Sequence, residues 1–213
     1  MRTGQELAGF LRRRGIGDDR VLAAIAAVPR ERFVPEDLRR DAYDDRALPI
    51  GRGQTISQPF MVATICAALE LGPGARVLDV GTGSGYQAAI LAEIASEVVT
   101  IECVPELAER ARETLARAGY DRVEVRVGDG SLGVPERAPF DGIAVAAAAP
   151  AVPDTLYVQL AVGGRIVVPV GTLRDQWLEV VERGPDGPEA ARSVPCRFVP
   201  LVGAAGFDEP RPR

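Results

Sequence analysis

Leu78-Asp79-Val80-Gly81-Thr82-Gly83-Ser84-Gly85-Tyr86 is the stretch on which the reading of the fold turns. A short apolar, β-branched run, RVLDV (76–80), enters three glycines spaced by single residues, and a helical pattern, YQAAILAEIA (86–95), leaves them. Glycines let the backbone turn tightly and approach a ligand without Cβ collision, and the start of the following helix offers N–H groups to an acceptor. Strand, glycine turn and helix in that order open a parallel α/β unit. The dinucleotide fingerprint is GxGxxG, whereas this chain has GxGxG with Tyr86 in the sixth position, which disfavours NAD. Taken alone, the turn reads either as a seat for a nucleoside-like ligand or as tight strand-to-helix packing.

Outward from the turn the alternation continues. VVTIE (98–102), VEVRV (123–127), FDGIAVA (140–146) and GRIVVPV (164–170) read as buried strands, separated by helical patterns over 105–118 and 153–160. In the first of these helices Pro105 suits the opening turn, Leu107, Ala111 and Leu115 fall on one face, and Gly119 stops it. The expected architecture is α/β: a mostly parallel twisted sheet with helices on both faces and ligand chemistry at the carboxyl ends of the strands. Two later runs, 177–182 and 192–199, lack a helix between them and predict antiparallel C-terminal strands around a loop at 184–188. Residues 1–71 look helical, with candidates at 6–14 and 18–28, and form an extension packed on the sheet; no linker separates it, so a single domain over 1–213 is expected.

Composition narrows the chemistry. The 213 residues are 46% hydrophobic and 26% charged, the balance of one ordinary globular domain. They include no His, no Lys and no Asn; all 25 basic residues are Arg. A GC-rich genome accounts for such gaps. They nonetheless exclude Ser-His-Asp and Cys-His nucleophile pairs, imidazole metal ligands, Schiff bases and the phosphate-loop lysine. A net charge of −5 gives no basic field for nucleic acid or an anionic membrane surface. No signal-peptide pattern opens the chain, and the longest apolar run, 143–152, is about half of a ~20-residue membrane span. Cys66, Cys103 and Cys196 are far apart with no CxxC spacing, so they read as small core residues of a reduced, cytoplasmic protein, expected to be monomeric and to bind no metal.

Glu102 ends the second strand 21 residues after Gly81, where an adjacent parallel strand brings it beside the turn. A carboxylate there accepts both hydroxyls of a ribose, or is simply a solvated strand-end acid. Asp129, in Gly128-Asp129-Gly130, occupies the next position along the rim as an acceptor for an adenine amino group or as a turn residue. With no phosphate-binding cation at the turn, these features suit a nucleoside without a triphosphate, and S-adenosylmethionine is the candidate. Upstream, Ser57-Gln58-Pro59-Phe60 precedes Met61, Ile65 and Leu69 at helical spacing, so Ser57 reads as a helix N-cap.

These segments resemble the protein-L-isoaspartate (D-aspartate) O-methyltransferases. The resemblance is carried by GQTISQPFMVA (53–63), VLDVGTGSGYQAAILA (77–92), VVTIE (98–102), GDG (128–130), the PFD and AAAP pieces within 139–150, GGRIVVPVG (163–171) and RFVPLVG (197–203). It implies a Rossmann-like methyltransferase fold and methyl transfer from S-adenosylmethionine, leaving S-adenosylhomocysteine, to the free α-carboxylate of L-isoaspartyl residues or to D-aspartyl side chains of damaged proteins and peptides. It implies Ser57 as the catalytic residue. Cofactor contacts would come from Thr55, Ile56, Asp79, Gly81, Thr82, Gly83, Ser84, Gly85, Tyr86, Glu102, Gly128, Asp129 and Gly130. Substrate contacts would come from Gln58, Pro59, Phe60, Val199 and Leu201, within a lid segment at 51–60. Phe60 stands where many members carry His or Tyr, and Ala146 where many carry Thr. The alternatives are a carboxyl methyltransferase with a dedicated peptide substrate and a cofactor-binding module without catalysis.

Overall fold

A computed structural model describes residues 1–208. Its centre is a seven-stranded sheet built from β3 (Arg76–Val80), β4 (Glu97–Glu102), β5 (Glu124–Val127), β6 (Phe140–Val145), β7 (Leu160–Gly171), β8 (Gln176–Gly184) and β9 (Gly187–Cys196), in the order β5-β4-β3-β6-β7-β8-β9. Strands β3 to β7 are parallel, while β8 and β9 return antiparallel. The chain moves outward from β3 through β4 to β5, then crosses back to β6 on the other side of β3. That reversal opens a crevice at the carboxyl ends of β3 and β6, the position where such sheets take ligands.

The helices divide unevenly between the faces. α1 (Gly4–Arg13), α2 (Asp19–Ala27), α3 (Pro59–Ala68), α4 (Tyr86–Ile94) and α5 (Pro105–Ala118) contribute to one apolar cluster, which runs from Leu7 and Ile25 through Ile65, Tyr86 and Leu91 to Val77 and Val98 of the sheet. On the opposite face Leu78, Val80, Ile143, Val145, Ile166 and Val168 pack under Phe140, Leu156 and Leu201. The expected helix at 153–160 is here a single turn, α6 (Asp154–Tyr157). It stops because Leu160 already pairs with Phe140 as the first residue of β7, and the Gln159 side chain is spent on Val134 N and Leu132 O. α5 matches its expected bounds, with Gly119 closing it at φ 91°.

Near the N-terminus, Thr3 caps α1 and Asp18 caps α2 through side-chain oxygens. Two elements went unread in the sequence. β1 (Leu48–Gly51) and β2 (Gln54–Ile56) form a small hairpin whose turn, Gly51-Arg52-Gly53, runs at φ 91°, 54° and 71°. At the other end β9 begins at Gly187, five residues earlier than the sequence pattern, because β8 and β9 close through a tight hairpin; 197–199 is not strand.

Candidate active site

The glycine turn is built largely from its own backbone. Gly81, Gly83 and Gly85 all lie in the left-handed region, at φ 93°, 52° and 87°. Gly81 N and Thr82 N donate to Ile101 O of β4, Gly85 N to Thr82 O, and Tyr86 N to Ser84 Oγ. Gly83 N donates to Glu102 Oε2 at 2.8 Å, and Val104 N donates to the other oxygen at 3.0 Å. Glu102 thus braces the turn from the end of the adjacent strand, as the spacing predicts, with only 5% of its surface exposed.

Beneath the turn lies a buried polar chain. Gln87 Nε2 and Thr100 Oγ1 both donate to Asp79, at 2.8 Å each, and Thr82 Oγ1 meets Thr100 Oγ1 at 2.6 Å. Burial raises the Asp79 carboxyl to about 6, against which the Gln87 and Thr100 hydrogen bonds act. Asp79 and the Thr82 hydroxyl therefore support the turn from inside the sheet; Asp79 does not line the cavity above it.

That cavity is lined along the turn by Gly81, Thr82, Gly83, Ser84 and Tyr86, on the β4 side by Ile101, Glu102 and Cys103, and by Gly130. Its other wall comprises Thr55, Ile56 and Ser57 from the N-terminal extension, Ala146 and Ala147 after β6, and Val199 and Leu201 from the C-terminal segment. A β-carbon on Gly130 would stand 2.8 Å from Val80 Cγ1, so only glycine allows this close approach. Four residues, Thr55, Ser57, Ala146 and Val199, also line a second groove with Gln58, Met61, Pro195, Cys196, Arg197 and Phe198. The cavity and the groove therefore meet at Ser57.

Several expected residues lie elsewhere. Asp129 has both carboxylate oxygens engaged: Ser131 N and Oγ donate to one, and Ala204 N to the other. The Ser131 and Ala204 hydrogen bonds hold its carboxyl below the usual value against a burial effect in the opposite direction. Its visible task is to pin the C-terminal loop, and neither it nor Gly128 reaches the cavity wall. Gly85 forms the N-cap position of α4 behind the wall. Pro59 and Phe60 belong to the first turn of α3, outside both cavities.

The expectation that Ser57 caps α3 is corrected. Pro59 occupies the first helical position, Gln58 takes the N-cap place at ψ 132° without a side-chain cap, and Ser57 stands one residue before it. Proline drives the preceding residue out of the helical region, which displaces the cap. A distant residue supplies the missing acceptor: Phe60 N donates to Asp45 Oδ1 at 2.9 Å, and Asp45 Oδ2 accepts from Gln58 Nε2 and Arg14 Nη1. The Arg14 guanidinium also covers the Phe60 ring, 4.4 Å from its centroid. Ser57 Oγ is left with no hydrogen-bond partner among the described residues, on the wall shared by cavity and groove.

Asp45, Gln87 and Cys103 were missed because nothing local marks them; each gains its role only from elements brought together by folding. The view of all three cysteines as core residues holds for Cys66 alone, since Cys103 is exposed at the cavity and Cys196 half-buried at the groove.

With this geometry in place, comparison with known proteins decides the family. Residues 2–206 match the family described as protein-L-isoaspartate(D-aspartate) O-methyltransferase. The chain belongs to that family. A protein-L-isoaspartate O-methyltransferase of Anaeromyxobacter dehalogenans is 59% identical over 200 residues, covering 92% of this chain and 96% of the relative. Among solved structures, a protein-L-isoaspartate O-methyltransferase superimposes with a TM-score of 0.86 at 30% identity, covering 96% of this chain and 67% of the other. A Plasmodium falciparum structure ascribed to the same activity, in complex with S-adenosyl-L-homocysteine, gives 0.82 at 27% identity, covering 95% of this chain and 99% of the other. Among the described residues no helix is long and apolar enough to cross a membrane, and no group of His, Cys, Asp and Glu is placed to hold a metal ion.

Proposed function

We propose that this chain transfers a methyl group from S-adenosylmethionine to the free α-carboxylate of L-isoaspartyl residues in damaged proteins and peptides, with D-aspartyl side chains as a secondary substrate. The observation that carries the reading is the unpartnered Ser57 hydroxyl at the junction of a glycine-lined cavity and a second groove. The cavity suits the cofactor: glycines line one wall, and the Glu102 carboxylate stands at its β4 side. Bound there, S-adenosylmethionine supplies an activated methyl on a sulfonium.

In this reading Gly81, Gly83 and Ser84 hold the methionine part, Glu102 the ribose, and Gly130 the adenine edge, with Asp129 fixing the loop that carries Gly130. The peptide lies in the groove between Gln58 and Val199. A free α-carboxyl, with an ordinary pKa of about 3.3–3.7, is ionised at neutral pH, so its oxygen is already a nucleophile and no general base is needed. The absence of His and Lys from the whole chain therefore costs this chemistry nothing. What the protein contributes is alignment and exclusion of water around opposite charges that cancel as the methyl moves. Ser57 Oγ donates to one carboxylate oxygen and holds the other toward the cavity.

The setting proposed is a cytoplasmic monomer, and three free cysteines suit a reducing compartment. The reading treats residues 1–71 as the substrate-side cover of one methyltransferase unit, supported by the apolar cluster shared with the sheet. The test is incubation with labelled S-adenosylmethionine and matched peptides containing isoaspartate, aspartate or D-aspartate. Base-labile ester on the isoaspartyl peptide, and none on the aspartyl one, is expected. No ester on any peptide, with cofactor binding intact, overturns the reading in favour of a binding module.

A further inference from the structure

Arg30 is a charged side chain with no exposed surface, and no carboxylate among the described residues forms an ion pair with it. Burying a guanidinium without an anion is costly, and an apolar side chain of similar size in such a place is often neutral or stabilising. Burial accordingly draws its pKa down, with Tyr86 and then Asp45 acting in the other direction. What Arg30 has instead of an ion pair is a set of three unlike contacts. Nε donates to Ala42 O at 2.7 Å, Nη2 donates to Ser57 O at 2.8 Å, and the guanidinium carbon lies 4.6 Å from the centroid of the Tyr86 ring. Tyr86 is the first residue of α4, directly after the glycine turn, and its ring is fixed from another side by Phe33 in an edge contact at 5.6 Å.

These contacts join the two halves of the site through one rigid plane. The Ser57 carbonyl accepts from Arg30 alone among the described residues, because Phe60 N is taken by Asp45 and the α3 ladder starts at Gln58 O. Stacking on Tyr86 references the same plane to the helix that leaves the glycine turn. A planar fork reaches two carbonyls while presenting its face to a ring; an ammonium does not.

We propose that Arg30 is a positioning residue for methyl transfer, its guanidinium setting the Ser57 hydroxyl in register with the glycine turn. The catalytic part of this inference rests on the methyl-transfer reading above; its structural part does not. Two variants and a control test it. Arg30→Met keeps length without charge, and Arg30→Lys keeps charge without the fork. Both are expected to lower kcat on an isoaspartyl peptide at least tenfold, to leave the dissociation constant of S-adenosylhomocysteine within twofold, and to speed hydrogen exchange in 54–60 without changing it in 80–87. Val181→Ala, in the apolar cluster on the opposite face, is expected to lower Tm while keeping kcat within twofold. The inference is overturned if either Arg30 variant retains kcat within twofold, if cofactor affinity falls in step with rate, or if Val181→Ala loses rate to the same extent. If the unaltered protein methylates no peptide, the functional reading fails by itself. Unchanged exchange in 54–60 of the variants then still refutes the Arg30 assignment, and faster exchange there supports it.

Discussion

The glycine turn and the Ser57 segment face each other across one cavity, yet different bonds hold them. The turn is secured by main-chain groups a few residues apart and by Glu102 on the neighbouring strand, whose N–H contacts are paired by the register of β3 with β4. The Ser57 segment is secured by side chains from far away: Arg30 on its carbonyl, Asp45 on Phe60 N and Gln58, and Arg14 closing over Asp45. A site for an invariant cofactor can be rigid and locally encoded. A wall that admits varied peptides is held by contacts that separate variants can loosen.

That contrast predicts different failures on the two sides. The largest effect belongs to Gly81→Val. A β-branched residue at φ 93° costs about 1–2 kcal/mol in backbone strain, which the turn relieves by shifting its donors away from the cavity, so cofactor affinity measured by calorimetry should fall by ~100-fold or more. Affinity within threefold of the unaltered protein would break the idea that the turn is the rigid half. Next comes Ser57→Ala, which removes a hydrogen bond to a charged group worth about 1.5–3 kcal/mol and should lower kcat ~10- to 100-fold. Cofactor affinity should stay within twofold; a matching loss in binding would place Ser57 on the cofactor side instead.

Asp45→Ala probes the scaffold of the second region. Losing a cap costs about 1 kcal/mol, and the loosened start of α3 should reduce kcat/KM for peptide roughly tenfold with little change for cofactor. Equal kcat/KM in the two proteins would mean that Asp45 serves stability alone. A last effect, on stability and not on rate, is a pH dependence under the turn. The folded Asp79 carboxyl sits at about 6, above its unfolded value, so the folded state binds the extra proton and stability falls as pH rises through that range. Relative to Asp79→Asn, the unaltered protein should gain roughly 2 kcal/mol between pH 7 and pH 4, read from denaturant midpoints. A difference that does not vary with pH would show that burial does not raise the Asp79 carboxyl.

The same contrast explains what could be read in advance. RVLDV, the three glycines and Glu102 were legible because strand, turn and strand end are each set by neighbours in sequence, and parallel pairing of β3 with β4 leaves little choice of where Glu102 lands. Ser57 lies where cavity and groove meet but does not cap α3: the local pattern of a hydroxyl before proline is a cap signal, and Asp45 takes that task from outside the window. Asp129 is the turn acceptor that Gly128-Asp129-Gly130 announces, through Ser131 N, while its second partner, Ala204 N, arrives 75 residues later and leaves no local signal.

By itself the sequence determined the alternating α/β order, the position of the glycine turn and the carboxylate beside it, and a composition that excludes imidazole and lysine chemistry. These follow from periodicity, backbone freedom and the acid–base properties of side chains, which are local. Tertiary structure decided that Asp79 belongs to a polar chain beneath the turn, that β2 lines the cavity, and that the Ser57 segment is held by Arg30 and Asp45. Those assignments depend on which buried donors and acceptors find partners, and burial is a property of the whole fold.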